Sequence, residues 1–278
     1  MFSYLDILYL ILSNYQKFLF YDASVSIIRS RDFAHIAIFY RLFVNFYLKS
    51  LENIDELEKC CIHQDKHTSC SDECIRVLNH YIKKTHLISE HSQNNVANIL
   101  NKSAKIEKNN IKTLLFDDSD VFNDLSNTIY DFVVAYSELY NHTRIDVTDI
   151  LAEFHNALSH IITATAICSM NNKKDIIQRN IDRAISHLKR GTKDSYKILI
   201  KISYQMCIKY KKLPEIFDEE FISIRSQEIV SLSDRSCHNN IHQSIKSLSD
   251  KLIKNLNIDK NLDFKDEFTK LLNQSIIN

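Results

Sequence analysis

Apolar side chains recur every three or four residues along most of this chain, a spacing typical of amphipathic α-helices. The pattern predicts two helices in the N-terminal part, over 2–20 and 24–59, with Asp22 and Ser24 as turn and cap candidates between them. Because the second of these is apolar on nearly every side, we expect it to be buried. Further helices are predicted over 71–115, 120–141, 148–170, 175–212, 218–234 and 237–257, and a short one begins near Asp263.

Composition narrows the fold class, because the 278 residues include one glycine, one proline and no tryptophan. Sandwiches, barrels and doubly wound sheets need many tight turns, and those turns favour glycine. Glycine-rich phosphate-binding loops, and the nucleotide cofactors they hold, are excluded for the same reason. We therefore expect an all-α multi-helix bundle around a long central helix at about 175–212, without a substantial sheet. The break in periodicity at 60–74 indicates an N-terminal helical region (1–116) and a C-terminal helical bundle (117–278), or one continuous domain.

The net charge and the N-terminal sequence indicate where in the cell the protein is located. Lys and Arg number 35, as do Asp and Glu, so no global field attracts nucleic acid or an anionic membrane. The N-terminus lacks the basic start of a secretory signal, and the apolar segment 33–48 is shorter than the ~20 residues that span a bilayer. Seven cysteines without a signal peptide indicate reduced thiols. We expect a cytoplasmic protein without a membrane partner.

Charge is nevertheless segregated along the chain. Residues 114–160 carry nine acids and one base, whereas residues 173–212 carry twelve bases and three acids. Six of those bases fall within about 40° of one line on the long helix, opposite its apolar face. A stripe of this kind can track a phosphate backbone, or it can be a solvated face that pairs with the acidic helices or with a second subunit. We name these residues the basic stripe: Arg179, Arg183, Arg190, Lys193, Lys197 and Lys201.

Histidines supply the first candidate chemistry. His155 and His160 point about 140° apart on a regular helix, so they do not chelate one metal ion together. Arg183 and His187 are four residues apart and share a helix face. A half-buried histidine beside an arginine can act as general acid or base on a phosphodiester, with the arginine stabilising negative charge. Alternatively, Glu153 holds His187 in a structural role, and a closed hydrogen bond between them would favour that role over catalysis.

The helix pair 148–170 and 175–212 carries a family resemblance. An arginine and a histidine in Arg183-Ala184-Ile185-Ser186-His187, ahead of a seam of small residues, resemble HEPN domains over about 120–212. That family is all-α and often dimeric, and many members are metal-independent ribonucleases of toxin–antitoxin and phage-defence systems. The resemblance implies Arg183 and His187 as catalytic residues. The family motif has a longer spacer and a polar residue after the arginine, where this chain has Ala184. Members without the motif serve as binding or regulatory modules.

The segment 60–74 supplies the second candidate chemistry. Its thiol and imidazole groups suit tetrahedral zinc, and we name Cys61, His67, Cys70 and Cys74 as the possible ligands. Zinc would then fold this loop, because structural sites contribute folding free energy directly. The alternatives are an exposed polar loop with incidental cysteines, or a disulfide in an exported protein. We expect no other cofactor.

Two apolar seams point to helix packing. Gly191 lies in the apolar face of the long helix, where glycine costs up to about 1 kcal/mol relative to alanine. We interpret it as a close crossing of two helix backbones, with sequence drift as the alternative. The heptad-like positions Ile241, Ile245, Leu248 and Leu252 indicate a helix that pairs with another helix.

Together these features favour a non-enzymatic helical interaction or regulatory module, of the kind found in bacterial defence, toxin–antitoxin or effector systems. We expect it to bind a protein partner or a second copy. The alternative is a HEPN-like ribonuclease or RNA-binding protein that uses Arg183 and His187. A second alternative is a membrane-acting effector that exposes residues 1–48, although those helices fit a core role better.

Overall fold

The fold is all-α, as predicted, in the part of the chain that the computed structural model describes. The described residues are 3–25, 33–59, 64–84, 94–95, 98–99, 102, 105–116, 120–168, 174–215, 217–231, 238–256, 266 and 269–270. No strand occurs among them. The α-helices are α1 (Tyr4–Val25), α2 (Phe33–Glu52), α3 (Gln64–Lys84), α4 (Lys108–Phe116), α5 (Asp120–Thr143), α6 (Thr148–Ile167), α7 (Lys174–Lys209), α8 (Phe217–Ser231) and α9 (His238–Leu256).

Helix α1 begins with a capping box and runs further than its sequence pattern predicts. The Ser3 hydroxyl accepts a hydrogen bond from the Asp6 backbone N–H at 3.1 Å, and the Asp6 carboxylate accepts one from the Ser3 backbone N–H at 3.0 Å. The helix then continues to Val25. The prediction of a turn at Asp22 and a cap at Ser24 is therefore wrong. Asp22 is buried inside the helix, where it lies near His155.

The next two predicted helices also end at other residues. Helix α2 stops at Glu52 and is followed by a short 3₁₀ turn, Ile54–Glu56, so the prediction of one helix to residue 59 is wrong. Helix α3 begins at Gln64, so residues 64–74 are helical and the predicted loop is wrong there. The predicted helix 71–115 is interrupted by non-helical residues 105–107. That break lets α4 begin separately and bury Ile111 and Leu115.

Residue contacts divide the chain into two compact units. The first unit comprises Met1–Ile129 and Leu151–Leu188, and the second comprises Tyr130–Ile150 and Lys189–Asn278. Helices α5, α6 and α7 each contribute residues to both units. Among the described elements, α7 is the longest, with 36 residues. The sequence-based boundary near residue 117 stays a prediction.

The first unit has an aromatic core, which accounts for the apolar character of α2. Phe39 and Phe43 are buried, and Phe39 packs edge-on against Tyr15 of α1 at 4.9 Å between ring centroids. Each such ring contributes roughly 1.5–3 kcal/mol when fully buried. The Asn110 amide donates to the Thr165 carbonyl oxygen at 2.9 Å and fixes α4 against α6. The burial of α1 and α2 agrees with their predicted role in a core.

The second unit uses the heptad-like seam internally. Ile241, Ile245, Leu248 and Leu252 are all buried, and α9 packs against α8 of the same unit. The Cys207 thiol of α7 also reaches the Leu252 carbonyl oxygen at 3.9 Å. The seam does pair with other helices, but those helices belong to the same chain.

Two helix ends adopt left-handed backbone conformations without glycine. At the end of α7, Lys211 has φ 53°, the Lys211 N–H donates to Ile208 and the Lys212 N–H donates to Cys207. This is a Schellman motif with lysine in the usual glycine position. Arg144 follows α5 with φ 57° and a different pattern, because its N–H donates to the Tyr140 carbonyl oxygen at 2.7 Å in the simpler αL motif. Pro214 follows α7 as predicted, and its carbonyl oxygen accepts the Phe217 N–H at 3.1 Å where α8 begins.

Hydropathy adds one more finding. Within the described residues, no helix combines the length and the apolar character that crossing a bilayer requires.

Candidate functional site

An apolar groove lies within the second unit, between α7, α8 and α9. Its cavity volume is about 490 Å³, which falls in the ~300–1,000 Å³ range of ligand-binding clefts. The walls are mostly aliphatic and aromatic, and charged groups lie at the rim. The lining residues are Lys197, Ile200, Lys201, Tyr204, Phe217, Asp218, Phe221, Ile224, Arg225, Glu228, Ile245 and Leu248.

Aromatic rings form one wall of this groove. Tyr204 stacks on Phe217 at 4.8 Å between ring centroids, and Phe217 stacks on Phe221 at 5.7 Å. Phe217 is buried, whereas Phe221 is 38% exposed and its neighbour Ile222 is 64% exposed. Helix α8 thus has apolar side chains on both faces, although a surface helix normally has them on one. Because one apolar face of α8 is enough to cover the core, part of its aromatic surface stays open to solvent at the groove.

A buried carboxylate gathers three cations at the end of the groove that carries Arg225. The Glu228 side chain is 6% exposed and lies 2.8 Å from Lys193 Nζ and 2.9 Å from Lys197 Nζ. Arg225 also bonds Glu228, one helical turn away on α8. Burial alone would raise the pKa of Glu228, but the hydrogen bonds from Lys193 and Lys197 outweigh it and hold that pKa below its ordinary value. Three cations around one anion leave a local surplus of positive charge.

The first unit contains a pair of anchored histidines on α6 and α7. His187 Nδ1 lies 2.6 Å from Glu153 Oε2, and His160 Nδ1 donates to Asn180 Oδ1 at 2.9 Å. The two imidazole rings stack with a centroid distance of 5.5 Å and an angle of 17°. The Asn180 amide group donates in turn to the Ile176 carbonyl oxygen, which fixes the orientation of that side chain. Each ring is therefore held through Nδ1 by a polar partner.

This geometry supplies the observation that separates the two roles considered for His187. Its hydrogen bond to Glu153 is closed, and the two side chains are only 21% and 16% exposed. The finding favours a structural role. Arg183, the other predicted catalytic residue, is exposed one turn earlier on α7.

The basic stripe contains four exposed residues and two half-buried ones. Arg179 and Arg183 of the first unit are exposed, as are Arg190 and Lys201 of the second. Lys193 and Lys197 are half-buried and bond Glu228 instead of lying free along a solvated face. The assignment of the stripe to nucleic-acid binding stays a prediction. Two of its members also stabilise the second unit.

The candidate zinc ligands are described in part. Cys70 and Cys74 are buried one turn apart on α3, and their thiols are hydrogen bonded to each other. That hydrogen bond, together with burial, raises the pKa of the Cys74 thiol above its ordinary value, so it stays protonated near neutral pH. The side chains of Cys61 and His67 lie outside the described residues. Among the side chains that are described, no cluster of three or more His, Cys, Asp or Glu could hold a metal ion.

Sequence reasoning missed a buried polar network in the first unit. The Tyr15 hydroxyl lies 2.8 Å from His155 Nδ1, and Asp22 Oδ2 lies 3.8 Å from His155 Nε2. Because Asp22 faces Nε2, the tautomer protonated there is favoured and the Tyr15 hydroxyl donates to Nδ1. The signal was present, since His155 follows Phe154 and precedes Leu158 on the apolar face of α6. Glu228 had no such signal, because Lys193 and Lys197, two of its three cations, come from another helix.

Comparison with known proteins gives this chain no relatives. No family, no curated protein and no solved structure matches it.

Proposed function

We propose that this protein is a non-enzymatic helical interaction module, of a regulatory kind, whose groove in the second unit receives a segment of a partner protein. One observation carries the proposal: the groove is open and apolar, and the aromatic side chain of Phe221 is 38% exposed at its edge. Soluble proteins rarely leave large apolar patches uncovered, and such patches mark interaction sites. A partner that covers Phe221 would remove this surface from water.

The polar groups of the chain agree with a non-enzymatic role. His187 is tied to Glu153 at 2.6 Å, and the buried His155 is tied to Tyr15 at 2.8 Å. These hydrogen bonds are consistent with a structural function that needs no substrate. A module of this kind suits a regulatory component of a bacterial defence, toxin–antitoxin or effector system.

The test uses neighbouring residues of α8 as a matched pair. Phe221 lines the groove, whereas Ile222 is more exposed and does not line it. Tagged wild-type protein, Phe221→Glu and Ile222→Glu are expressed in the native host and purified, and bound proteins are quantified by mass spectrometry. We expect a partner that wild type and Ile222→Glu retain and that Phe221→Glu loses, with unchanged circular dichroism. Partners indifferent to Phe221, or a strict monomer with no partner in light scattering, would contradict the proposal.

A second candidate function, RNA binding or metal-independent RNA cleavage, is favoured by the exposure of Arg179 and Arg183, which lie two turns and one turn before His187. The histidine retains some exposure, and its Nε2 is the ring nitrogen that Glu153 does not bond. Wild type, Arg183→Ala and His187→Ala are incubated with mixed RNA. Cleavage that both substitutions abolish would support an enzyme, and identical cleavage in all three proteins would mark a contaminant.

A further inference from the structure

The groove has a length and a charge pattern that limit what it can receive. Its lining residues on α8 extend from Phe217 to Glu228. At 1.5 Å per residue this is about 16 Å, or three turns of helix. A site of that length along one helix matches an extended helical segment better than a compact small molecule.

The two ends of the groove differ in charge. Tyr204 stacks on Phe217 at one end, where Asp218 lines the groove. Lys197 bonds Glu228 at the other end, where Arg225 also lines the groove. Lys201 follows Lys197 by one turn of α7 and is exposed. Because three cations surround the one carboxylate of Glu228, that end carries a surplus of positive charge beside an apolar floor.

We propose that the segment received by the groove is an amphipathic helix of a partner protein, with apolar side chains at i, i+4 and i+7 and acidic side chains at the end nearest Lys197, Lys201 and Arg225. This inference rests on the proposed function and adds the chemistry and orientation of the partner. Helix-in-groove recognition uses such apolar anchors, and rim charges set the register and the rate of association. The aromatic wall from Tyr204 to Phe221 receives the anchors.

The probe is a fluorescein-labelled synthetic helix of three to four turns, with leucines at i, i+4 and i+7 and glutamates in its first turn. A charge-reversed peptide carries lysines in place of the glutamates, and a third peptide has a central proline. Fluorescence anisotropy measures each peptide against the full-length protein. We expect the acidic peptide to bind, the charge-reversed peptide to bind about tenfold more weakly, and the proline peptide not to bind.

Variants locate the binding. Phe221→Glu is expected to weaken the binding of the acidic peptide about tenfold or more, whereas Phe221→Leu and Ile222→Glu should still bind it. Lys201→Glu is expected to lower the affinity for the acidic peptide about threefold and to reduce the salt dependence of that affinity. Lys209→Glu, on the same helix but outside the groove, should leave the affinity unchanged. Circular dichroism and thermal melting of each variant show that it is folded.

The outcomes separate this inference from the proposed function. Equal binding of both charged peptides, or equal effects of Phe221→Glu and Ile222→Glu, would overturn the inference. So would a dimer in light scattering that Phe221→Glu dissociates, because a second copy would then fill the groove. If no peptide binds while a co-purified partner still depends on Phe221, the proposal of an acidic helical segment is wrong, and the proposal of an interaction module is retained. If neither a peptide nor a partner binds, both fail.

Discussion

His187 Nδ1 lies 2.6 Å from Glu153 Oε2, and this contact joins α6 to α7 within the first unit. Both side chains are largely buried, so the hydrogen bond is shielded from competing water. Stacking of His187 on His160 adds a second attachment, because His160 is itself bonded to Asn180. The four side chains form one polar patch that positions two helices.

A double-mutant cycle tests this structural role. We expect Glu153→Gln and His187→Gln each to lower the free energy of unfolding, and the double variant to lower it by less than their sum. The coupling should be about 1–2 kcal/mol, because a partly buried hydrogen bond to a charged group contributes roughly that much. Urea denaturation followed by circular dichroism measures all four proteins.

The control for that cycle combines residues of different units. Glu153→Gln together with the exposed substitution Gln205→Ala should be additive, because Glu153 belongs to the first unit and Gln205 to the second. A coupling near zero between Glu153 and His187 would show that the contact contributes nothing to stability. The structural assignment of His187 would then lose its support.

The Glu228 cluster predicts a dependence of stability on pH. The pKa of Glu228 is held below its ordinary value of 4.5. A carboxyl of this kind contributes stability that is fully present above the unfolded pKa and is lost as the pH falls through the lower, folded pKa. We therefore expect Glu228→Gln to cost about 1–3 kcal/mol near neutral pH. The difference from wild type should shrink as the pH is lowered below about 4.5.

Denaturation of wild type, Glu228→Gln and the exposed control Glu215→Gln at several pH values measures this dependence. Glu215 is exposed, so its substitution should change stability little at any pH. A deficit in Glu228→Gln that stays constant down to strong acid would mean that the carboxylate charge is not what stabilises the second unit.

The helical fold was predictable because its causes are local. Scarcity of glycine excluded tight-turned sheets, and the spacing of apolar residues such as Ile150, Phe154 and Leu158 fixed the buried face of α6. Helix ends were less predictable, because long-range contacts override local signals. Asp22 has the character of a turn residue, yet it lies inside α1 because its buried carboxylate faces His155.

The buried network around that histidine predicts a measurable loss of stability. Tyr15→Phe removes the hydroxyl that bonds His155 Nδ1 at 2.8 Å and leaves a buried acceptor without this donor. We expect a loss of about 1–3 kcal/mol in the free energy of unfolding. The same change at Tyr130, which is 55% exposed, serves as the control and should have little effect. Equal stabilities of the two variants would contradict the role of the network.

The candidate site was less predictable than the fold. The spacing of Arg183 and His187 placed them on one face, but the partner of His187 depended on how α6 packs against α7. The sequence of α7 places Lys193 and Lys197 on a solvated face, because their ion-pair partner, Glu228, belongs to a different helix. The groove follows from α8, where apolar Phe221 and Ile222 interrupt the expected polar face. That interruption is visible in the sequence, but its meaning requires the neighbouring helices.

The Schellman motif at the end of α7 predicts a stabilising substitution. Lys211 adopts a left-handed backbone, with φ 53°, at an exposed position where glycine has no steric penalty. We expect Lys211→Gly to raise the free energy of unfolding by about 0.5–1 kcal/mol, because the relief of strain exceeds the entropy cost of glycine. Gln205→Gly, at an exposed position inside the helix, should lower it by a similar amount. A loss of stability in Lys211→Gly would contradict the assigned backbone conformation.

The only glycine of the chain supplies the last prediction. Gly191 is buried in α7, and its carbonyl oxygen accepts a hydrogen bond from the buried Ser195 hydroxyl at 2.8 Å. Helix propensity alone predicts that Gly191→Ala stabilises the protein by up to about 1 kcal/mol. If a second backbone passes close to this position, the added methyl group is overpacked and the substitution costs about 1–3 kcal/mol instead.

We expect the loss, and thermal denaturation of Gly191→Ala against wild type gives its sign directly. Gln205→Gly and Gln205→Ala, at an exposed position of the same helix, measure how helix propensity alone changes the free energy of unfolding, without any effect of packing. A stabilised Gly191→Ala would show that glycine stands there without a packing reason, and the close crossing would be wrong. A destabilised variant, beside a normal propensity difference at Gln205, would mean that atoms of a neighbouring element lie within reach of one methyl group, as a close crossing predicts.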